Sequence, residues 1–389
     1  MLLKGYAFDF ISDKQIQSTV FNNGSFTTKG NSLYKSLVIP ACSYIPLMTM
    51  EKILQFAESG GNVIFINEMP EAVSGFRNVE ANTQKLNEIK TKLASTMANV
   101  KIGTDLPQLL DNSGVKRELM IDHKVHCLRK KNAAGGAVYF INNRNAQPFS
   151  GWLPIRSTAK ATLIFDPMTG RLGKAQVREG DDGMEVYINL LAEQSLILEQ
   201  YATEPTVSDF DFADSQGEPI VLKGKWKVTF PTGGPTLPSS YTSDSLVYWT
   251  TLDDAAYQDF SGTAVYEITF KNPGTQIKRW LVRLDSVKES AEVILNNKSI
   301  GKVIGPAFQL EFEGSMLMDE NILQIRVSNL MANRIAYMDR NNILWKRFYN
   351  VNFPARSREN LRNNLFNASH WKPKPSGVSG KCVVIPLKN

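Results

Sequence analysis

The hydrophobic period of this chain changes near residue 113, and this change restricts the folds open to it. Before that point, short apolar runs alternate with stretches whose apolar residues recur at helical spacing. After it, apolar and polar residues alternate one by one. Helical spacing favours amphipathic helices, whereas strict alternation favours half-buried strands. The 389 residues therefore predict a multidomain chain, in which an α/β region is followed by a longer all-β region.

The first segment, residues 1–113, has the pattern of a parallel sheet. The runs YKSLVIP (34–40) and NVIFIN (62–67) are continuous and apolar, as is typical of strands covered on both faces. Between them, MTMEKILQFAESGG (48–61) has helical spacing and ends at a glycine pair. This order forms a right-handed crossover. With a further helix over 80–100 and the strand NVKIG, we predict a small flavodoxin-like α/β domain.

Apolar and polar residues alternate with a period of two in the second segment, residues 114–203, and in the third, residues 204–389. In the second segment, runs such as GAVYFINNR and GMEVYINL are separated by turn signals such as AAGG and EGDDG. Short strands at this spacing predict a β-sandwich. A polar join over 202–219 leads into the third segment, which has the pattern of a second sandwich and ends in the apolar strand KCVVIPL (381–387).

Charge, hydropathy and cysteine content argue against several classes of protein. The net charge of +6 comes without a basic helix or recognition motif, so we expect no nucleic-acid partner. The sequence has no run of about 18 apolar residues, so we expect no membrane span. Three scattered cysteines do not suit a disulfide framework. The N-terminus lacks the apolar core of a secretory signal, and location stays open because the natural start could lie upstream.

Two groups with catalytic or metal-binding residue types are weak candidates. Along a strand, alternation would place Asp122 and His126 on one face and His123 and Cys127 on the other, which does not suit a metal site. Cys42 follows a buried strand, but it lacks the flanking glycines of a nucleophile elbow. We therefore predict neither a catalytic residue nor a metal ligand at these positions.

The polar join offers a possible structural calcium site. Asp209, Asp211 and Asp214 supply carboxylate oxygens, which are the ligands that Ca²⁺ takes in proteins. A solvated linker explains the same residues more simply. A structural calcium ion is therefore left open, and no other cofactor is expected.

Aromatic, amide and guanidinium side chains of the third segment are the best candidates for binding a ligand. Indole and phenol rings offer flat apolar faces to the C–H surface of a sugar, and amide and guanidinium groups hydrogen-bond its hydroxyls. Each residue alone fits a role in the core better, but together they predict a carbohydrate-binding site. The candidates are Trp249, Asn329, Asn333, Arg334, Tyr337, Trp345 and Trp371, with Tyr349 beside them.

Four blocks of the third segment resemble the sugar-binding β-sandwich of family 2 glycoside hydrolases. They are LKGKWKVTF, FSGTAVYEITF, RLDSVKESAEVILNNKSIG and ENILQIRVSN. Asn297 stands where those domains have a glycine, and asparagine tolerates the left-handed conformation which that turn requires. The resemblance implies a jelly-roll-like, galactose-binding-like fold for the third segment.

The wider order of motifs resembles the C-terminal, non-barrel portion of family 106 glycoside hydrolases, which are α-L-rhamnosidases. The motifs are GYAFDFIS, then YKSLVIPACSYIPLMTMEKILQFAESGGNVIF, then VSNLMANRIAYMD and PSGVSGKCVVIPL. The asparagine–arginine element of that family matches Asn329, Asn333 and Arg334, although Met331 stands where the family tends to have an aromatic residue.

This resemblance implies a carbohydrate-active region without catalytic residues of its own. Family 106 enzymes carry their catalytic glutamates in a preceding (β/α)8 barrel, and no position here matches them. We therefore predict an accessory region that supports a barrel on a separate chain or binds a rhamnose-containing plant glycan. The family is typically periplasmic or secreted and is frequent in Bacteroidetes. Two alternatives stay open: an active glycosidase with an unrecognised site, and a structural remnant that binds nothing.

Overall fold

The computed structural model describes residues 1–132, 136–156, 159–181, 183–212, 217–274, 276–305, 307–347 and 357–388. Over these residues the chain is mostly β, in several open sheets, and none of the described sheets closes into a barrel. In the same ranges, no helix is both long enough and apolar enough to cross a bilayer.

A three-stranded parallel sheet forms the centre of the first segment. Its helices and strands are α1 Asp13–Ser18, β1 Val20–Asn22, β2 Ser25–Thr27, β3 Leu33–Tyr34, β4 Ser36–Ile39, β5 Tyr44–Ile45, α2 Leu47–Glu58, β6 Asn62–Ile66, β7 Ala72–Val73, α3 Val79–Thr96, β8 Val100–Gly103 and α4 Leu106–Asp111. Strand β6 lies between β4 and β8, parallel to both. Helix α2 joins β4 to β6, which confirms the predicted strand–helix–strand unit. The small antiparallel sheet β1–β2–β3 and the parallel pair β5–β7 were not predicted.

Two antiparallel sheets form the second segment, as expected of a β-sandwich. Its strands are β9 Val125–Lys131, β10 Ala137–Asn143, β11 Phe149–Ile155, β12 Ala161–Phe165, β13 Leu172–Lys174, β14 Val177–Gly180, β15 Gly183–Leu190 and β16 Ser195–Tyr201. One sheet has the order β13-β12-β16-β10-β9 and the other β11-β15-β14. Alternate side chains of both sheets, such as Ile141, Leu198 and Ile188, form one buried cluster between them.

The third segment also consists mainly of two antiparallel sheets around one core. Its helices and strands are β17 Ile220–Val221, β18 Trp226–Gly234, β19 Tyr241–Ser243, α5 Ala255–Gln258, β20 Ser261–Lys271, β21 Arg279–Lys288, β22 Ser290–Leu295, β23 Lys298–Ile304, β24 Gln309–Glu313, β25 Glu320–Ser328, α6 Ala332–Arg340, β26 Leu361–Arg362, β27 Leu365–Phe366 and β28 Gly377–Pro386. The sheet orders are β17-β28-β21-β24 and β19-β18-β20-β25-β22-β23, and side chains of both sheets share the core.

Two local expectations in these β regions had different outcomes. Asn296 and Asn297 have φ of 49° and 64° in the turn between β22 and β23, so the predicted left-handed conformation at Asn297 is confirmed. The predicted strand through Asp122 and His123 is wrong, because Leu119–His123 is a 3-10 helix that ends at Lys124 with φ of 61°. The strand begins only at Val125, so the expected alternation of Asp122, His123, His126 and Cys127 on two faces does not hold.

The contacts between segments include hydrogen bonds, ion pairs and apolar packing. The backbone N–H of Glu118 donates to the carbonyl of Gly5 at 2.8 Å, at the join between the first and second segments. Arg171 of the second segment pairs with Glu311 of the third, and Glu311 also accepts from Arg279. Phe210, within the polar join, packs against the core of the second segment. The predicted boundaries at residues 113 and 203 stay predictions.

Candidate functional site

Two asparagines, Asn329 and Asn333, connect helix α6 and the chain before β28 to the end of the third segment's sheets through hydrogen bonds. The Asn329 amide donates to the Phe260 carbonyl (3.0 Å) and the Ser376 hydroxyl (2.9 Å), and its oxygen accepts from the N–H of Gly262 (2.9 Å). Asn333, which is buried, donates to the Lys374 carbonyl (3.1 Å) and accepts from the Lys374 N–H (2.7 Å). Both amides are thus already bonded within the protein, and they position the residues around them.

Trp249 lies in the core and has no face open to a ligand. Its side chain is fully buried, and its ring meets Phe230 and Phe260 edge-on at centroid distances of 5.7 and 5.9 Å. Gly377 lies against it so closely that an added Cβ would be 2.8 Å from the indole. Trp249, one of the predicted binding residues, therefore packs in the core.

Trp345 and Trp371, separated by 25 residues along the chain, are brought together by Phe366. The Phe366 ring contacts Trp345 edge-on at 6.3 Å and Trp371 at 5.8 Å. All three side chains are partly exposed. We call these three residues the aromatic strip. The Lys346 amine lies over two of its rings, 5.1 Å from the centroid of Trp345 and 5.9 Å from that of Phe366. The sequence predicted the two tryptophans of the strip but not Phe366.

Hydrogen bonds fix the orientation of both indoles in the aromatic strip. The Trp345 N–H donates to Asp339 (2.8 Å), and the Trp371 N–H donates to Asn360 (2.8 Å). Asp339 is buried, and its carboxylate also accepts from Lys346 and from the N–H of Ala368. Because the N–H groups are engaged inside and Lys346 lies over the Trp345 and Phe366 rings, a ligand would meet the carbon edges of the rings and the faces that Lys346 leaves open. A preorganised apolar surface of this kind suits the C–H face of a sugar.

Arg334 and Tyr337 lie one helical turn apart on α6. The Arg334 guanidinium lies against Gly234, where an added Cβ would be 2.8 Å from its Cζ. It is partly exposed, and among the described residues it has neither an ion pair nor a side-chain hydrogen bond. The Tyr337 side chain is also partly exposed. These two predicted residues are thus free to contact a ligand, whereas Asn329 and Asn333 hold the scaffold.

The structure gives no support for chemistry at the other candidate positions. Burial raises the pKa of the Cys42 thiol, and it raises that of Cys127 to about 12, so both thiols disfavour the nucleophilic thiolate. Cys382 is buried, whereas Cys42 and Cys127 are only partly buried. Within the described ranges no group of three His, Cys, Asp or Glu side chains could hold a metal ion.

The two described members of the predicted calcium site already have cationic partners. Asp209 lies 3.7 Å from Lys174, and Asp211 pairs with Arg279. Asp214 lies outside the described residues, as does Tyr349 of the predicted carbohydrate site. The calcium site therefore stays a prediction.

Comparison with known proteins relates the chain to glycoside hydrolases. Residues 1–179 match the family model of glycoside hydrolase family 106, described as α-L-rhamnosidase. A putative β-glucuronidase of Formosa agariphila is 35% identical over 121 residues, which cover 30% of this chain and 10% of that protein. The resemblance to family 106 that the sequence motifs predicted is confirmed.

A solved rhamnosidase has the same fold over nearly the whole chain. The structure of the rhamnosidase from Novosphingobium sp. PP1Y matches with a TM-score of 0.67 at 19% identity, and the match covers 96% of this chain and 35% of that one. A β-glucuronidase from Bifidobacterium dentium matches with a TM-score of only 0.30, over 45% of this chain and 31% of that one, at 19% identity. The chain therefore spans about a third of the rhamnosidase whose fold it shares.

Proposed function

We propose that this chain, whose residues 1–179 match the family 106 α-L-rhamnosidase model, is an accessory region of a rhamnosidase-like glycoside hydrolase. In this role it supports a catalytic barrel carried by a separate chain and binds a rhamnose-containing plant glycan. The observation that carries the proposal is the family match over residues 1–179. The fold likeness to about a third of a rhamnosidase supports the same assignment.

The finer fold assignments belong to this proposal. The crossover unit of β4, α2 and β6 supports a flavodoxin-like fold for the first segment. The four motifs lie on β18, β20, β21–β23 and β25 of two sheets around one core. This arrangement supports a jelly-roll-like, galactose-binding-like fold for the third segment. In this assignment the third segment supplies the glycan contact, and the first segment supplies the contact with the barrel.

Exposed apolar side chains of the first segment suit an interface with the barrel. Phe10 and Phe76 are 93% and 101% exposed, and Tyr44 and Met48 are also well exposed. Single exposed apolar residues are common, but large aromatic side chains left wholly in water are enriched at interfaces. In the proposed complex these side chains pack against the outer helices of the barrel.

The first test separates an accessory region from an enzyme. The purified chain is incubated at high concentration with an aryl α-L-rhamnoside, and we expect no release of the aryl group. Turnover that a single Asp or Glu substitution abolishes would establish the alternative of an active glycosidase. Tryptophan fluorescence and calorimetry with rhamnose-containing pectic oligosaccharides should show saturable binding. A flat response across that panel would favour the structural remnant.

The second test concerns the barrel. The chain is co-expressed with a family 106 barrel encoded in the same genome, and a complex is sought by gel filtration. We expect co-elution that Phe10→Ser and Phe76→Ser weaken, while Leu33→Ser, at another exposed apolar position, serves as the matched control. Separate elution of the two wild-type chains would overturn the supporting role.

A further inference from the structure

The larger sheet of the second segment carries a row of apolar side chains that crosses all five of its strands. Phe140 of β10 is the cross-strand partner of both Leu128 of β9 and Ile197 of β16. Phe165 of β12 is the cross-strand partner of both Ile197 and Leu172 of β13. Side chains directly opposite each other in an antiparallel pair have Cβ atoms about 5 Å apart, so neighbours in the row lie side by side. We call these five residues the apolar row.

The apolar row lies on the outer face of this sheet and not in the core. Tyr139 and Ile141, the neighbours of Phe140 along β10, are fully buried between the two sheets of the sandwich. Since successive side chains of a strand point to opposite faces, the row points away from that core. The exposed fractions of Leu128, Phe140, Phe165 and Leu172 are 57%, 42%, 37% and 51%. The row is thus an apolar surface in contact with water.

The outer face of the six-stranded sheet in the third segment has a different composition. A row of equal length crosses β18, β20, β25, β22 and β23, and its members are Thr229, Val265, Arg326, Glu292 and Lys302. Arg326 and Glu292 in that row form an ion pair at 3.4 Å. A polar outer face is typical of an antiparallel sheet that is packed on one side only. The apolar row departs from this pattern, as a surface that binds a partner does.

We propose that the apolar row is the contact of a homodimer, in which the outer face of this sheet packs against the same face of a second copy of the chain. A two-fold contact brings the same surface of both copies together, so that surface must be complementary to itself. The apolar row meets this condition, because it reads Leu, Phe, Ile, Phe, Leu in both directions across the sheet. The inference is independent of the proposed contacts with a glycan and a barrel.

Charged side chains beside the apolar row select one of the two possible two-fold axes. Glu199 and Ser195 lie two residues to either side of Ile197 on the central strand β16 and share its outer face. An axis along the strands would place the two Glu199 carboxylates over each other, and Lys130 of one copy over Lys174 of the other. An axis along the row places each Glu199 over Ser195 of the second copy. Because like charges in contact are unfavourable, the axis along the row is the proposed one.

The size of this face indicates a weak dimer and not a permanent one. Five strands about 4.8 Å apart and three rows about 7 Å apart give a face of roughly 24 by 20 Å, or about 500 Å². Two such faces bury about 1,000 Å² together, which is near the lower limit of a specific interface. We therefore expect monomer and dimer to exchange at micromolar concentrations of the chain.

Sedimentation velocity of the purified chain from about 1 to 200 µM tests the dimer, since an interface of this size dissociates in that range. We expect the mean sedimentation coefficient to rise with concentration from the value of a monomer towards that of a dimer. Phe140→Glu and Phe165→Glu should each raise the dissociation constant at least about tenfold, because each places two carboxylates in an apolar contact. Ile322→Glu, at a 43% exposed position on the outer face of the six-stranded sheet, is the matched control and should leave the constant unchanged.

Cysteine cross-linking tests the axis. Phe140→Cys should form a covalent dimer with a bis-maleimide that spans about 10 Å, the separation of stacked sheets, because an axis along the row places the two residues opposite each other. Wild type, with Cys42, Cys127 and Cys382, controls for the native thiols. Cross-linking that requires a mixture of Phe140→Cys and Phe165→Cys would overturn this axis, since an axis along the strands brings those two positions together.

Each outcome decides for or against the homodimer. A chain that stays monomeric over the whole concentration range would overturn it. A dimer that both row variants leave as stable as Ile322→Glu does would also overturn it, because the contact would then lie elsewhere. If wild type is monomeric and both row variants weaken co-elution with a family 106 barrel, the apolar row binds the barrel and not a second copy. Loss of the dimer in Phe140→Glu and Phe165→Glu, with circular dichroism spectra like that of wild type, would support the proposal.

Discussion

Asn333 and Lys374 are joined by a pair of hydrogen bonds in which a side-chain amide takes the place of a neighbouring strand. The Asn333 Nδ2 donates to the Lys374 carbonyl at 3.1 Å, and its Oδ1 accepts from the Lys374 N–H at 2.7 Å. Ser376, two residues on, accepts from both Asn329 and Asn333. The asparagines thereby hold the residues before β28 against α6, and so hold Trp371 near Trp345.

We expect Asn333→Ala to destabilise the third segment by about 1–3 kcal/mol, because the N–H and carbonyl of Lys374 lose the buried Asn333 amide as their partner. Chemical denaturation followed by tryptophan fluorescence measures the change. Asn341→Ala, at an exposed residue just after the same helix, should change stability by less than about 0.5 kcal/mol. Equal effects of the two substitutions would contradict the role assigned to Asn333.

Trp249 and Trp371 should respond in opposite ways to truncation. Trp249→Ala removes a fully buried indole and should cost about 3–5 kcal/mol of stability. Trp371→Ala should cost far less stability but lower glycan affinity about tenfold, through lost stacking. Thermal unfolding and a glycan titration on each variant measure both quantities. If folded Trp249→Ala loses glycan binding while Trp371→Ala retains it, the assignment of the two residues is reversed.

The elements of this fold were predictable where the sequence has a strong period. The run NVIFIN became β6, and the helical spacing after Met48 became α2, because continuous apolar runs and helical stripes each bury well in one conformation. The 3-10 helix at Leu119–His123 was missed, since a single turn has too few residues to show a period. Short pairs such as β5–β7 depend on tertiary contact and leave no pattern of their own.

The candidate site was only partly predictable, for a similar reason. Residue type identified Trp345, Trp371 and Arg334, but it could not separate them from Trp249, whose burial depends on residues distant in sequence. Phe366 and Asp339 were missed because neither is distinctive by itself. An acidic residue inside a strongly basic stretch was the available signal for Asp339, since an isolated carboxylate among cations is often a structural partner.

The ion-pair network between the second and third segments should stabilise their contact. Glu311 pairs with both Arg171 and Arg279, and Arg279 also pairs with Asp211. Since these side chains are partly buried, we expect Glu311→Gln to cost about 1–2 kcal/mol, between the values for surface and buried pairs. The exposed pair Lys116–Asp111 is the control, and Asp111→Asn should cost less than about 0.5 kcal/mol. High salt should reduce the difference in stability between Glu311→Gln and wild type.

Glu118 should make the stability of the protein depend on pH. Its side chain is 6% exposed, with Arg129 Nε at 2.8 Å from one carboxylate oxygen. Burial raises the pKa of Glu118 above its ordinary value, an effect that Arg129 and Arg156 partly offset. A carboxyl group whose pKa is higher in the folded state binds its proton more tightly there, so its contribution to stability is greatest in acid. That contribution is lost as pH rises through the raised pKa.

Glu118→Gln tests this linkage, because the amide keeps the shape and cannot ionise. As pH rises from the ordinary pKa of a glutamate, about 4.3, through the raised pKa of Glu118, wild type should lose stability relative to Glu118→Gln. The lost contact with Arg129 adds a difference in stability that does not change with pH. Urea unfolding midpoints of both proteins at several pH values measure the trend. Glu51→Gln, at an exposed position on α2, is the control: its unfolding midpoint should change with pH as that of wild type does. A pH-independent difference between wild type and Glu118→Gln would show that the Glu118 carboxylate titrates alike in the folded and unfolded chain.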